Sequence, residues 1–145
     1  MDLERGDCML LPNTENDLLT DFEYQELSSK TYKLDIKNNC IRGFCNSLTA
    51  IKQAIYKILN TERYESIIYS WNYGIEIKDL YGKPTSYVVP ELKRRIKEAL
   101  LQDDRIENVN NFQFKVNNEV IAVSFTVKSN IGDVDYEYEY KMEDN

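Results

Sequence analysis

The chain contains no histidine among its 145 residues. Histidine is the commonest general base and the commonest metal ligand, and Ser-His and Cys-His dyads also require it. Cysteine is scarce: Cys8, Cys40 and Cys45 are an odd number without the paired spacing of a zinc site, so we expect reduced thiols. These absences predict a protein that has no metal, no cofactor and no histidine-dependent catalytic site.

The chain also lacks long apolar runs and an excess of basic charge. No stretch approaches the about 20 apolar residues of a membrane-spanning helix, and the N-terminus has no signal-peptide pattern. Its 25 acidic and 18 basic residues give a net charge of −7, whereas affinity for nucleic acid comes mainly from Lys and Arg. We therefore expect a cytoplasmic protein that binds neither membranes nor nucleic acid and docks on basic or neutral protein surfaces.

The composition predicts one folded domain preceded by an acidic arm. Hydrophobic residues make up 42% of the chain and charged residues 30%, which is typical of a folded domain. Residues 1–28 are acidic, interrupted by Pro12, and carry short apolar clusters that could anchor them on another surface. A disordered tail is an equally good interpretation of residues 1–28. Residues 29–145 form the predicted domain.

Hydrophobic periodicity predicts a strand at Thr31–Lys37, a second short strand at Ile41–Phe44, and then a helix. Asn46 or Ser47 should cap this helix, which should end near residues 60–61. Its apolar stripe consists of Leu48, Ile51, Ile55, Ile58 and Leu59.

The middle of the chain predicts two short elements and a second helix. Ser66–Trp71 is β-branched and aromatic, which favours an extended segment, and Ile75–Tyr81 fits two turns of helix. The second long helix should carry Pro90 in its first turn, with Ser86 as a possible cap, and should end near Gln102.

The last third of the sequence predicts three antiparallel strands. Alternating apolar residues lead to a turn at Asn117-Asn118, Val120–Val127 follows it, and a turn at Asn130–Asp133 precedes a strand of alternating tyrosine and acid. The predicted fold class is α+β, with two main helices packed on a mostly antiparallel sheet that ends in a three-strand meander.

A tyrosine-rich stretch, Ala50–Pro84, carries a family resemblance. It contains Thr61-Glu62-Arg63-Tyr64 after the helix, then Trp71-Asn72-Tyr73-Gly74, then Asp79-Leu80. In these elements it resembles a family of prophage tail proteins, the contractile-tail baseplate wedge proteins once labelled lysozyme-like. The similarity extends over roughly residues 31–141.

The resemblance implies a structural subunit that joins the baseplate wedge to the first ring of the contractile sheath, in a phage tail or a tail-like bacteriocin. Its implied partners are the helical core bundle of the large wedge proteins, the tail sheath protein through strand addition, and tube or hub proteins. It would be assembled in the bacterial cytoplasm and then reside in the particle baseplate.

The family carries a Glu-Pro-Arg signature that contacts the wedge bundle, and the matching place here is Asp103-Asp104-Arg105. Arg105 could form a bidentate ion pair with a partner carboxylate while Asp103 holds its guanidinium in place. The missing proline puts the rigidity of this turn in question. The competing interpretation is a charge pair at a helix end with no partner role.

Two further groups of residues are candidate partner contacts. The last strand places Tyr136, Tyr138 and Tyr140 opposite acidic residues, and its edge could accept a partner strand, although an ordinary edge strand fits equally well. The central stretch adds Trp71 and Tyr73 as interface anchors beside Glu62 and Arg63. The competing interpretation is that Glu62 and Arg63 cap the helix or pair within the domain, while Tyr69, Trp71 and Tyr73 are core or interface anchors.

Two other functions are weighed against assembly. A peptidoglycan hydrolase would need two carboxylates, and Glu62 with Glu65 or Asp79, beside Trp71 and Tyr73, would be the choice. The neighbouring Arg63 would lower the pKa of Glu62, which argues against a general acid there. A small cytosolic adaptor that binds one protein remains the second alternative.

Overall fold

The computed structural model describes residues 29–117 and 120–142. The predicted acidic arm, residues 1–28, lies outside the described residues. The described elements are, in chain order, β1 (Thr31–Asp35), β2 (Cys40–Cys45), α1 (Ser47–Leu59), α2 (Thr85–Leu100), β3 (Ile106–Val116), β4 (Val120–Ser129) and β5 (Asp133–Lys141). The predicted α+β fold with a terminal three-strand meander is confirmed.

The strands form two separate antiparallel sheets rather than one. β1 and β2 make a hairpin, and β3, β4 and β5 make a three-stranded sheet in that order. The hairpin is tied to α1 by Gln53, whose side chain accepts a hydrogen bond from the Leu34 N–H at 2.8 Å and donates one to the Tyr32 carbonyl at 2.7 Å. One glutamine therefore supplies partners to two backbone groups of β1.

The helices cover one face of the meander. β4 alternates between buried residues facing the helices and half-buried residues on the other face, as a strand in a half-covered sheet does. The buried core of the domain includes Ile51, Ile55, Leu59, Val88, Leu92, Ile96, Leu100, Ile121, Val123, Phe125 and Val127. Each such side chain contributes roughly 1.5–3 kcal/mol through removal from water, so this layer dominates the stability of the domain.

α1 follows its predicted stripe except at its first turn. Asn46 is the N-cap residue, and Asn60 ends the helix by donating both its backbone N–H and its side-chain amide to the Tyr56 carbonyl. Leu48 is 37% exposed although the periodicity predicted it to be buried, because it is the second residue of α1 and the buried residues of the helix begin at Ala50.

α2 begins earlier than predicted. Pro84 is its N-cap residue and the helix starts at Thr85, so Ser86 is not the cap and Pro90 lies in the second turn. The expectation that Pro90 occupies the first turn is therefore wrong. The helix continues through Pro90 because its buried side chains hold the later turns on the core.

The segment between the helices differs most from its prediction. Residues 66–71 form consecutive turns instead of an extended segment, with the Tyr69 N–H bonded to the Ser66 carbonyl at 3.3 Å. The two helical turns predicted at Ile75–Tyr81 reduce to one isolated bridge at Ile75 and one 3₁₀ turn at Lys78–Leu80. The β-branched and aromatic residues of this segment do not form a strand because, within the described residues, the segment pairs with neither sheet.

The ends of this segment are closed on each other by backbone hydrogen bonds. The Arg63 N–H donates to the Ile75 carbonyl at 3.0 Å, and the Ile75 N–H donates to the Thr61 carbonyl at 2.9 Å. Gly74 has φ of +94°, and a Cβ built on it would lie 2.5 Å from the Thr61 carbonyl oxygen. Residues 62–75 therefore form a closed surface loop that only glycine permits at this point.

None of the helices in residues 29–117 and 120–142 is long and apolar enough to cross a membrane.

Replacing Gly74 by alanine should lower the free energy of unfolding by about 3 kcal/mol, because it adds a steric clash to an unfavourable φ. Gly82→Ala is the matched control, since Gly82 also has positive φ but an added Cβ there meets nothing within 4 Å. It should cost only about 1–2 kcal/mol. Urea unfolding of both variants measures the difference, and equal losses would contradict the close approach at Gly74.

Candidate docking surface

The connector between the helices displays large apolar side chains to solvent. We refer to residues 64–73 as the aromatic loop. Ile67 is fully exposed, Ile68 is 82% exposed and Trp71 is 81% exposed. Tyr64 and Tyr69 on the same loop are also exposed. Single exposed apolar residues are ordinary, whereas several on one loop make it a candidate surface for binding another macromolecule.

The aromatic loop is ordered by contacts of its own. The Tyr69 and Tyr73 rings stack with centroids 4.7 Å apart, and the Tyr64 and Trp71 rings lie 6.0 Å apart in a tilted arrangement. The Tyr73 N–H also donates to the Ser70 carbonyl at 3.0 Å. Tyr64 has φ of +67°, a strained conformation for a bulky residue that persists only where the surroundings fix it.

Arg63 points into the domain and fixes the base of the loop. Its side chain is only 9% exposed, and its guanidinium bonds to the Gly74 carbonyl at 3.2 Å, to Glu98 on α2 at 2.9 Å and to Glu76 at 3.5 Å. Burial alone would lower the pKa of Arg63, but the hydrogen bond to Glu98 together with the negative charges of Glu98 and Glu76 raises the pKa. The guanidinium is therefore a permanent positive charge that joins the loop to α2.

Glu62 also binds within the domain. Its carboxylate accepts hydrogen bonds from the Ile77 N–H at 3.1 Å and the Lys78 N–H at 3.3 Å, and so caps the 3₁₀ turn. Glu62 and Arg63 therefore both bind groups of their own chain. This agrees with the competing interpretation, in which the two residues pair within the domain.

The corner after α2 holds a paired Asp103 and Arg105. The Arg105 Nε donates to Asp103 Oδ1 at 2.8 Å and Nη2 donates to Oδ2 at 2.6 Å, while the Arg105 N–H also donates to Oδ1 at 3.1 Å. Burial would raise the pKa of the Asp103 carboxyl, but the hydrogen bonds from Arg105 outweigh it and the pKa is lowered. Asp103 thus orients the Arg105 guanidinium within the domain.

A groove of about 330 Å³ connects the aromatic loop with this corner. It lies at the C-terminal ends of α1 and α2 and is lined by Ile58, Ser70, Asn72, Tyr73, Ala99, Gln102 and Asp103. Burial raises the pKa of the Tyr73 hydroxyl, and the Tyr69 and Asp103 charges add to that effect. Tyr73 and Asp103 are both predicted partner contacts and lie 30 positions apart in the sequence. The fold brings them together in the lining of this one groove.

The tyrosines of β5 lie elsewhere and face inward. Tyr140 is buried and stacks on Tyr81 with centroids 5.5 Å apart, and Tyr136 and Tyr138 pack partly buried against the core. Burial raises the pKa of Tyr138 to about 12. The acidic residues of β5 lie on its exposed face, so the aromatic face of this strand is covered by the domain itself.

The three carboxylates considered for a hydrolase site all bind groups within the domain. Glu62 caps the 3₁₀ turn, Glu65 pairs with Lys78 at 2.8 Å, and Asp79 accepts a bond from Arg95 Nη2 at 2.8 Å. The hydrogen bond from Arg95 lowers the pKa of Asp79. A general acid requires a raised pKa, so Asp79 is unsuited to that role.

Comparison with known proteins assigns the family. A model of the contractile injection system sheath initiator matches residues 23–132. The chain is also 38% identical over 114 residues to the phage-like element PBSX protein XkdS of Bacillus subtilis strain 168, covering 76% of this chain and 81% of that protein.

The chain belongs to the contractile injection system sheath initiator family. It is a structural component of a prophage-type contractile tail, as the resemblance implied. A crystal structure of a protein described as a tail lysozyme from Geobacter sulfurreducens shares the fold, with a TM-score of 0.55 and 18% identity over 65% of this chain and 89% of that chain. At that identity the likeness concerns the fold alone.

The candidate surface of this sheath initiator family member includes residues that the sequence reasoning missed. Ile67, Ile68 and Tyr69 fall in the predicted extended segment Ser66–Trp71, Tyr64 belongs to the element Thr61–Tyr64, and the predicted contacts in this loop are Trp71 and Tyr73 alone. The available signal was a dense apolar run with no helical period, bounded by Thr61 and Gly74. Such a run fits a displayed loop as well as a buried strand.

The Asp103–Arg105 pair predicts a pH dependence of stability. Because the folded pKa of Asp103 is lowered, its stabilising contribution is present above its ordinary pKa of 3.8 and is lost as the pH falls through the folded value. Asp103→Asn should therefore reduce stability at pH 7 by about 1 kcal/mol and should have a smaller effect near pH 2. Urea unfolding at both pH values measures this, with the exposed neighbour Asp104→Asn as control; a loss that is equal at both pH values would contradict the assignment.

Proposed function

We propose that this subunit docks on the helical core bundle of the baseplate wedge through the aromatic loop and the Asp103–Arg105 corner, and offers the edge of β5 to the first ring of sheath subunits. It acts by assembly and performs no catalysis. The observation that carries the docking assignment is the cluster of exposed apolar side chains on one ordered loop beside an oriented arginine.

The aromatic loop supplies the binding energy in this proposal. Ile67, Ile68 and Trp71 are exposed in the free domain, and burial of each such side chain contributes roughly 1.5–3 kcal/mol. Tryptophan is enriched among the residues that dominate interface energies. A groove between two helices of a wedge bundle would provide the apolar walls that these side chains require.

In this proposal Arg105 fixes the orientation of the subunit on its partner. Its Nε and Nη2 groups are bonded to Asp103, and within the described residues no hydrogen bond is made by Nη1. The guanidinium is already fixed by Asp103, so a partner carboxylate can bind Nη1 without an additional cost of ordering the side chain. This arrangement differs from the expected bidentate pair with the partner, because Asp103 occupies the fork.

β5 is the proposed site of sheath attachment. It pairs with β4 along one edge only, and within the described residues its other edge has no partner strand. Its acidic side chains, Asp135, Glu137 and Glu139, project from the exposed face. Backbone hydrogen bonds from an added strand would provide affinity, and charges on the exposed face would select a basic partner.

Trp71→Ala should weaken association with the purified wedge complex at least tenfold, because it removes the largest anchor of the aromatic loop. Tyr87→Ala is the matched control, since Tyr87 is an exposed aromatic at the opposite end of α2. Biolayer interferometry on immobilised wedge complex compares the two. Circular dichroism should show both variants folded, and wild-type affinity in Trp71→Ala would refute loop docking.

Strand addition predicts where backbone amides become protected. Mixing the subunit with its tail sheath protein should slow hydrogen exchange in β5 at least tenfold, while β3, the other edge of the meander, should be unchanged. Mass spectrometry of deuterated peptides resolves the two strands. Protection of β3 instead, or of neither edge, would rule out attachment at β5.

A further inference from the structure

A second apolar surface lies on the β1–β2 hairpin, away from the aromatic loop and the Asp103–Arg105 corner. Tyr32, Ile36, Ile41 and Phe44 are each more than half exposed. The Tyr32 and Phe44 rings stack with centroids 5.0 Å apart, and Lys30 lies over the Phe44 ring at 4.8 Å. The exposed apolar residues are therefore accompanied by positive charge.

The charge of this region is strongly basic. Residues 29–60, which comprise the hairpin and α1, contain six basic residues and a single acidic one, Asp35. The remaining described part of the chain has no comparable excess of positive charge. A surface that is both basic and apolar is suited to a segment that is acidic and apolar.

A groove of about 270 Å³ runs between β1 and α1 within this region. Lys33 and Lys52 lie at this groove, and both are exposed. Its apolar lining comes from Leu34, Ile36, Tyr56 and Tyr136. The groove thus combines an apolar interior with two ammonium groups and is built from three elements of the fold.

The chain enters the described structure at the start of α1, the helix that forms one wall of this groove. The Ser29 side chain accepts a hydrogen bond from the Ser47 N–H at 3.2 Å, at the start of α1. The residues before it, 1–28, contain eight carboxylates and one arginine, so they carry the entire net charge of −7 while residues 29–145 are balanced. Their stretch Asp17–Glu23, DLLTDFE, alternates acids with leucine and phenylalanine.

We propose that residues 1–28 bind in cis to the groove between β1 and α1, with Asp17–Glu23 as the contacting stretch. Carboxylates of this stretch pair with Lys33 and Lys52, and its leucine or phenylalanine side chains enter the apolar lining. Asp17–Glu23 lies six residues before Ser29, which can span up to about 20 Å. A short tether of this kind gives an effective concentration on the order of millimolar, so a weak contact suffices.

Hydrogen exchange of the full chain tests this contact. In Lys33→Glu/Lys52→Glu the amides of residues 15–25 should exchange about threefold faster than in the wild type, because two exposed ion pairs become repulsive. The matched control is Lys97→Glu/Lys115→Glu, which makes the same change in net charge at exposed lysines of α2 and β3. Equal exchange in residues 15–25 of both variants and the wild type would overturn the proposal.

Zero-length carbodiimide crosslinking of the wild type distinguishes a contact within one chain from a contact between copies. Carboxylates of residues 15–25 should link to Lys33 or Lys52 at least fivefold more often than to Lys97. In a mixture of ¹⁵N-labelled and unlabelled protein, these links should join peptides of the same isotope. Links of mixed isotope would show that a second copy occupies the groove, and a majority of links to Lys97 would show that the groove is not the site; either overturns the proposal.

Discussion

The display of the candidate docking surface depends on the closure of residues 62–75 by Arg63. The backbone of Arg63 bonds to Ile75, and its side chain bonds to Gly74 and Glu98, so one residue joins both ends of the loop to α2. Arg63 is half-buried, and a charge that is partly removed from water depends on its partners staying in place. Without these bonds the stacked tyrosines would have no fixed base, and the groove shared with Asp103 would lose one wall.

The sequence predicted the regular elements of this protein because their periods are local. The apolar spacing of α1 and α2 and the alternation in β4 and β5 each report one buried face, and the structure buries those faces. The predictions failed where a segment of strand-forming residues has no neighbouring strand with which to pair. Ser66–Trp71 has strand composition but no adjacent strand, so its backbone turns repeatedly and its isoleucines reach solvent.

The site was predictable only in part, because exposure and pairing are properties of the tertiary fold. Asp103 and Arg105 lie two residues apart, and their mutual hydrogen bonds could be anticipated from that spacing. The partners of Arg63 could not, because Glu98 is 35 residues away and reaches it only through the packing of α2. The meeting of Tyr73 and Asp103 at one groove likewise follows from the adjacent ends of the two helices.

The rigidity of the aromatic loop has a consequence for the order of assembly. A loop that becomes ordered on binding loses about 0.5–1.5 kcal/mol of conformational entropy per immobilised side chain. Here Tyr69 and Tyr73, and Tyr64 and Trp71, already contact each other in the isolated subunit, so this loss occurs during folding. In the proposed docking these four rings need little further ordering, so folding and docking are separate steps.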